Sequence, residues 1–333
     1  IQRPSDGEVM HNKFIIIDCD NAQSAKILTG SVNHTNNSCQ NDYNNMVIIN
    51  DQSLALAYKT EFEEMWGSPG NTPNTSNAKF GAAKTDNTPH SFNIGGVPVE
   101  LYFSPSDQTT AHIESAILSA NTDMQFAMLT FINNDLGDAV ISIHNSGVDV
   151  TGIIDNDWYW GSEFDNLEDA GVDVYAYSDN HILHHKYGIV DANNVSSDPL
   201  VITGSHNWTN SAENDYDENT LIIHDAEIAN MYFEEFTARY ADITGVASID
   251  QDEIFEDDYS IYPNPTSNKL SIRSKYLIES ITVQNSIGQF VMNLKGIQCN
   301  NYELNLSYLP CGVYCVSVLT QEETIGYKII KNN

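Results

Sequence analysis

The chain has 333 residues, 41% of them hydrophobic, which is enough for two or three domains with a sizeable core. It contains no run of about 18 apolar residues, so no membrane-spanning helix is expected. Fourteen Lys and Arg against 46 Asp and Glu give a net charge of −32, and a surface this acidic repels polyanions, which disfavours tight nonspecific binding to nucleic acid.

In chain order, strands are expected at 13–17, 26–29 and 46–49 and a helix at 53–66, where Leu54, Tyr58, Phe62 and Met65 recur near helical spacing. The Gly-, Pro-, Asn- and Thr-rich stretch 69–96 is expected to be a linker after a first lobe at 1–68. A second lobe, 97–245, alternates strands (97–103, 124–129, 148–154) with helices. One helix carries Ile113, Ala116, Ile117 and Ala120 on one face, another spans 136–144, and a helix–strand pair covers 163–177. The apolar runs are continuous, as suits strands covered on both faces in α/β layers. Asp155, Asp157, Trp158, Tyr159 and Trp160 follow a strand end, where ligand-binding loops gather. Their aromatics either line a substrate mouth or pin the loop by burial. Strands at 200–203 and 218–224 and a helix at 226–240 close the lobe.

Residues 246–258 hold six acids and read as a solvated linker. Residues 259–333 balance six Lys and Arg against four Glu, and their short alternating strands with polar turns indicate a small all-β sandwich. Five Cys leave at least one unpaired; Cys19 and Cys39 flank a turn and are placed to bridge. Cys311 and Cys315 are four residues apart on one strand, roughly 13 Å, and cannot bond each other. None has zinc-type spacing.

The most informative stretch is HHKYGIVD, residues 184–191. It puts His184 and Lys186 two residues apart on a strand, hence on one face, and GSHNWT follows from Gly204. The same order stands earlier, with His11, Lys13 and Asp18 in HNKFIIID and Gly30, Ser31 and Asn33 in GSVN. From His to Gly is 19 residues in the first copy and 20 in the second, and from Gly to Asn45 or Asn219 is 15 in both. Composition alone gives roughly 0.03 chance occurrences of H-x-K-x-x-x-x-D per chain, so two with matched sequels are not accidental. From 85 to 258 the only cations are Lys186 and Arg239, which sets Lys186 apart in an anionic region.

These motifs, together with DENTLIIHD, resemble the phospholipase D superfamily, in particular its secreted bacterial branch, over residues 1 to about 245. The resemblance implies an α/β fold of two lobes, mixed central sheets flanked by helices, with both motifs meeting across a pseudo-two-fold axis. Only 10 residues precede His11, so the leading strands of the first lobe are expected to lie outside this chain. A phosphodiester needs a nucleophile, a proton donor and fixed positive charge. By resemblance, His11 and His184 share nucleophilic and acid–base work through a phosphohistidine, and no metal or cofactor is needed. Lys13 and Lys186 neutralise the phosphoryl oxygens, aided by Ser31, Asn33, Ser205 and Asn207 and by backbone N–H groups of the GS turns.

Asp18 and Asp191 lie seven residues after their His, an odd offset that assigns them to structure. Glu218 is the expected hydrogen-bond acceptor for His184, with Asn44 at the corresponding place in the first copy. His181, His185 and His206 are expected on the surface or satisfied in the core, and Trp208 in packing. Residues 259–333 look like the C-terminal sorting domain of the type IX secretion system, on Tyr262-Pro263-Asn264-Pro265, Ile287-Gly288-Gln289, Gly312-Val313-Tyr314 and Lys328-Ile329-Ile330-Lys331. That implies export by the secretion machinery of a Bacteroidetes-type bacterium; a carbohydrate-binding β module is the competing reading. The expected substrate is a phospholipid, with an endonuclease or a non-catalytic surface binding protein as alternatives.

Overall fold

Short β-branched runs and amphipathic helices fold here into two units, Ile1–Ile249 and Asp250–Asn333. The computed structural model describes residues 9–178, 181–192, 197–244, 259–264, 266, 268–285, 289–321 and 324–331. The acidic linker 246–258, Pro265, Ile287 and Gly288 lie outside the described residues.

The first unit opens with β1 (Phe14–Ile17), β2 (Lys26–Gly30), α1 (Asn36–Asn41), β3 (Asp42–Tyr43), β4 (Met46–Ile49) and α2 (Gln52–Trp66). β1, β2 and β4 make a three-stranded antiparallel sheet in that order. Asp51 caps α2 by accepting from Leu54 N at 2.8 Å, and Gly67 ends it at φ 76, a conformation that a Cβ would strain.

Next come β5 (Ser91–Ile94), β6 (Val97–Ser104), α3 (Thr109–Leu118), β7 (Asp123–Met128), α4 (Asn134–Asn145), β8 (Asp149–Ile154) and α5 (Phe164–Asp169). β9 (Asp173–Ala176), β10 (Ile182–Leu183), β11 (Lys186–Val190), β12 (Leu200–Gly204), α6 (Asn210–Asn214), β13 (Glu218–Ile223) and α7 (Ala226–Thr244) complete the unit. Eight strands form one mixed sheet in the order β5-β6-β13-β12-β11-β7-β8-β9, parallel only at β7-β8-β9. The segment expected as linker thus contains a strand. β5 pairs with β6 through a turn at Gly95 and Gly96, both at positive φ, and is only four residues long, too short for its alternation to stand out.

Every residue of β7, β11, β12 and β13 is buried, so their apolar residues face both sides of the sheet, and the polar Lys186 and Glu218 are buried at strand ends. One sheet face packs Phe126, Phe131 and Trp208 against Leu136 and Val140 of α4. The other packs Tyr187, Ile189 and Val201 against Phe233 and Phe236 of α7. Each such side chain stabilises the fold by about 1.5–3 kcal/mol. The two sheets meet through Ile27, Leu54 and Tyr58 against Leu101, Phe103 and Leu221. That shared core fixes the motif strands relative to one another. No helix among the described residues is long and apolar enough to cross a membrane.

The second unit is all-β: β14 (Tyr259–Tyr262), β15 (Lys269–Asn285), β16 (Phe290–Asn305), β17 (Gly312–Thr320) and β18 (Thr324–Lys331). The pairing of β15 with β16 shifts register between Arg273 and Ile278, which lets the long strands curl. Leu270 and Ile272 before the shift and Ile281 and Val283 after it enter one core with Leu304, Val316 and Ile329. No disulfide joins any of the five cysteines among the described residues. The bridge that Cys19 and Cys39 could have made is not formed; Cys39 Sγ instead lies 3.8 Å from the Asn33 carbonyl, inside its own turn.

Candidate active site

Two copies of one local construction face each other in the first unit. Lys13 precedes β1 and Lys186 opens β11, and each ammonium turns back onto the carbonyl of its own histidine, at 2.6 Å to His11 and 2.9 Å to His184. Behind each motif, Gly30 and Gly204 let the chain pass over the facing strand. A Cβ on either would sit 2.2 Å from the carbonyl oxygen of Asn45 or Asn219. From there on the copies keep an offset of 174 residues, as in Asn45 and Asn219, Tyr58 and Tyr232, Glu61 and Glu235.

Each imidazole takes its partner from the other copy. His11 Nδ1 donates to Glu218 Oε1 at 2.7 Å, and His184 Nδ1 donates to Asn44 Oδ1 at 2.8 Å. The backbone crosses in the same way, His11 N donating to Asp217 O at 3.0 Å and His184 N to Tyr43 O at 2.8 Å. The expected Glu218–His184 pairing is thus corrected to Glu218–His11. Glu218 opens β13 of the second lobe, and the shared core turns that strand end toward the first motif.

The Asn44 amide is oriented by its other end, because Nδ2 donates to Ser38 O at 3.0 Å and Asp42 O at 3.2 Å. Its oxygen therefore faces His184, fixes the proton on Nδ1 and leaves Nε2 for a ligand. Burial, with Lys186, Lys13 and His11 nearby, pushes His184 down to about 2, so its ring is neutral. Lys13 is lowered to about 8 by burial, opposed by the Glu218 charge. Burial and repulsion from Lys13 push Lys186 well down. Glu218 is buried, yet the His11 charge and hydrogen bond hold its carboxyl below the usual range. These electrostatic couplings tie all five groups to one small region. Two desolvated, mutually repelling ammonium groups there gain stability when an anion binds.

Several expectations need adjustment. Ser31 N and Ser205 N donate to the carbonyls of Asn45 and Asn219, both at 3.0 Å, so these amides hold the turns and do not meet an anion. The Ser31 hydroxyl donates to Asn44 Oδ1 at 3.0 Å, so it orients the amide behind His184 and is not free for phosphate. Ser205 Oγ accepts from Asn219 N and Nδ2 at 3.0 and 3.2 Å, which leaves its proton available. Asn33 and Asn207 are half-buried beyond the turns, and Asn207 Oδ1 has no partner. Asp191 is buried and accepts from the backbone of Asn121, Thr122 and Asp123 at 2.8–3.2 Å. Asp18 shares its positive φ, 49 against 52, but is exposed.

His185 and Asn12, one residue after each motif His, face away from the site into mirrored networks. His185 Nδ1 lies 3.2 Å from Asn45 Oδ1, and its Nε2 lies 3.1 Å from the Glu235 carboxylate; Asn12 accepts from Asn219 at 2.8 Å and reaches Glu61 at 3.5 Å. Glu61 is paired in turn with the buried Lys84 at 2.5 Å. His206 is buried, with Glu213 3.8 Å away and no hydrogen bond on either ring nitrogen. Sequence reasoning missed Asn44 as the partner of His184 and the Tyr58, Glu61, Tyr232 and Glu235 layer. The only signal for them was the constant offset between copies.

Residues 1–66 and 113–240 match the family model described as cardiolipin synthase, PLD-like domain. Residues 260–332 match the secretion system C-terminal sorting domain. The mitochondrial cardiolipin hydrolase of Mus musculus is 35% identical over 42% of this chain and 61% of its own length, and that of Homo sapiens 36% identical over 36% and 46%. The chain thus spans about half the length of the curated relatives it matches. Among solved structures, Nuc from Salmonella typhimurium, a phospholipase D family member, is 29% identical over 43% of this chain and 93% of its own, with a TM-score of 0.38.

Proposed function

This chain belongs to the phospholipase D-like family, and from that premise we propose that it is an exported phosphodiester hydrolase that releases headgroups from phospholipids through a phosphohistidine. The crossed pair His11–Glu218, 2.7 Å across 207 residues of sequence, is the observation that carries this reading. A histidine backed by a buried carboxylate and set against two lysine ammoniums suits attack on an anionic phosphorus.

In the proposed sequence His11 Nε2 attacks phosphorus, the N–P bond forms and the P–O bond to the headgroup breaks. The ring becomes cationic, and Glu218 is its counter-charge. His184, neutral in the free site, takes a proton from solvent on Nε2 once the bound phosphoryl anion stabilises its charged form; backed by a neutral amide and flanked by positive charge, it then passes that proton to the leaving alkoxide. Water then attacks phosphorus, its proton passes to His184, and the N–P bond breaks to release phosphatidic acid. Lys13, Lys186 and the Ser205 hydroxyl neutralise the phosphoryl oxygens. The sorting domain supports export from a Bacteroidetes-type cell, with residues 259–333 engaging the type IX machinery.

The test is headgroup release from lipid vesicles set against nicking of a supercoiled plasmid, both in EDTA. Release without nicking supports the reading, and nicking without release moves the substrate to nucleic acid, against the acidity of the chain. Glu218→Gln keeps the shape but loses the counter-charge, and kcat is expected to fall roughly a hundredfold or more with the melting temperature little changed. A wild-type rate would remove Glu218 from the mechanism. Because Lys13 loses its proton at about 8, kcat/KM should decline above that pH. Lys13→Met should leave a much lower rate without this alkaline limb, and a limb that persists unchanged would exclude Lys13 as its origin.

A further inference from the structure

The loop after β8 presents three aromatic residues to solvent. Trp158 is 76% exposed and Trp160 94%, with Tyr159 between them at 48%. The expectation that buried rings pin this loop is therefore corrected. Its base is held by backbone bonds instead, Asp155 N to Met128 O and Asn156 N to Leu129 O at 3.0 Å, and Glu163 N to Phe131 O at 2.9 Å. Neither indole N–H has a protein acceptor among the described residues. Exposing two tryptophans is unfavourable unless another surface receives them.

The loop leaves the sheet beside the catalytic groups. β11 runs antiparallel to β7, with Lys186 opposite Met128, and β8 runs parallel to β7, with Met128 opposite Ile154. The ends of β7 and β8 and the beginning of β11 therefore share one end of the sheet. Asp155 there accepts from Leu183 N at 2.7 Å, one residue before His184.

We propose that Trp158, Tyr159 and Trp160 form a docking element that inserts into the headgroup layer of a zwitterionic phospholipid bilayer and sets the catalytic end of the sheet against it. This rests on the phospholipid reading of the site and narrows its substrate class. Indole and phenol rings suit the interface, where one side is apolar and the other wet. Charge selects the lipid. Asp155, Asp157, Glu163 and Asp165 flank the aromatics along the chain, and the nearest cation in sequence is Lys186. Anionic lipid and single-stranded nucleic acid are both repelled by such a loop, whereas a choline or ethanolamine headgroup is not.

The experiment uses the full chain at low salt in EDTA and measures quenching of tryptophan fluorescence by vesicles of brominated phosphatidylcholine. Trp208 is 1% exposed and gives a constant background, and the half-buried Trp66 is common to wild type and variant, so the share of Trp158 and Trp160 is the difference between the two proteins. The wild type should be quenched, and the double variant Trp158→Ala, Trp160→Ala should partition at least about tenfold more weakly by co-sedimentation. Its hydrolysis of a water-soluble phosphodiester and its melting temperature should be unchanged. Equal partitioning of variant and wild type overturns the proposal, as does tighter binding to phosphatidylglycerol vesicles than to phosphatidylcholine. Loss of soluble-diester hydrolysis in the variant would make the rings part of the catalytic mouth, and binding of an oligonucleotide but not of vesicles would give them a different ligand; either result also overturns it. Tryptophan-dependent vesicle binding by a protein that releases no headgroup would leave this inference standing and remove the hydrolase reading.

Discussion

His11→Asn is expected to lower both steps for every phosphodiester by at least ~10³-fold, whereas His184→Asn should spare the first step, release of the leaving group, when that group needs no proton. The two rings differ in what stands behind them, a buried carboxylate at 2.7 Å for His11 and a carboxamide at 2.8 Å for His184. The ring that binds phosphorus carries positive charge for the lifetime of the intermediate, which an anion stabilises and an amide does not. The ring that donates must part with its proton, and Lys13 and Lys186 favour that loss at His184. A nitrophenolate departs without help, so His184→Asn should retain a burst of nitrophenol followed by slow hydrolysis of the phosphohistidine. Rapid-quench kinetics on a choline ester and a nitrophenyl ester resolve the two cases. If His11→Asn gives the burst and His184→Asn gives none, the roles are reversed.

Asp191→Ala is expected to destabilise the first unit by about 3–5 kcal/mol without touching the site directly. The carboxylate is fully buried and receives the backbone amides of Asn121, Thr122 and Asp123, the Asn121 amide side chain, and the hydroxyls of Thr122 and Ser197. Removing it takes their shared acceptor from the backbone amides of Asn121, Thr122 and Asp123, of which Asp123 is buried, and Ala tolerates the φ of 52 less well than Asp. The pH dependence follows from the same contacts. Burial alone would raise this carboxyl, but hydrogen bonds from Ser197, Thr122, Asn121 and Asp123 lower it below its usual value. The group therefore contributes its stabilisation fully above the unfolded carboxyl value near 3.9, and that contribution fades as pH falls through the lower folded value. Urea unfolding of wild type and Asp191→Asn should differ most near neutrality and converge in acid. A gap that stays constant down to pH ~3 would deny the carboxylate that role.

The sequence carried its clearest information where contacts are local. The motif residues lie two apart on one strand, and the glycines at 30 and 204 sit where the chain crosses a neighbouring backbone, so spacing alone locates them. The partners of the histidines are a different matter. Within one copy Glu218 stands nearest to His184 along the chain, and only the packing of Ile27 and Tyr58 against Leu101 and Leu221 shows that it turns toward His11 instead. The exposed tryptophans were equally hidden, because composition gives a loop its rings but not the side they face. β5 escaped detection because four residues carry too little alternation, and a Cys19–Cys39 bridge stayed open because proximity to a turn fixes no sulfur positions.

The exchange of partners between the copies has a consequence for substrate orientation. Identical halves related by a two-fold axis would accept a diester either way round, with either ester oxygen departing. An anion behind one ring and a neutral amide behind the other abolishes that equivalence. The site thereby acquires a fixed polarity, and divergence at just two positions, 44 and 218, is enough to turn a reversible cradle into a one-way one.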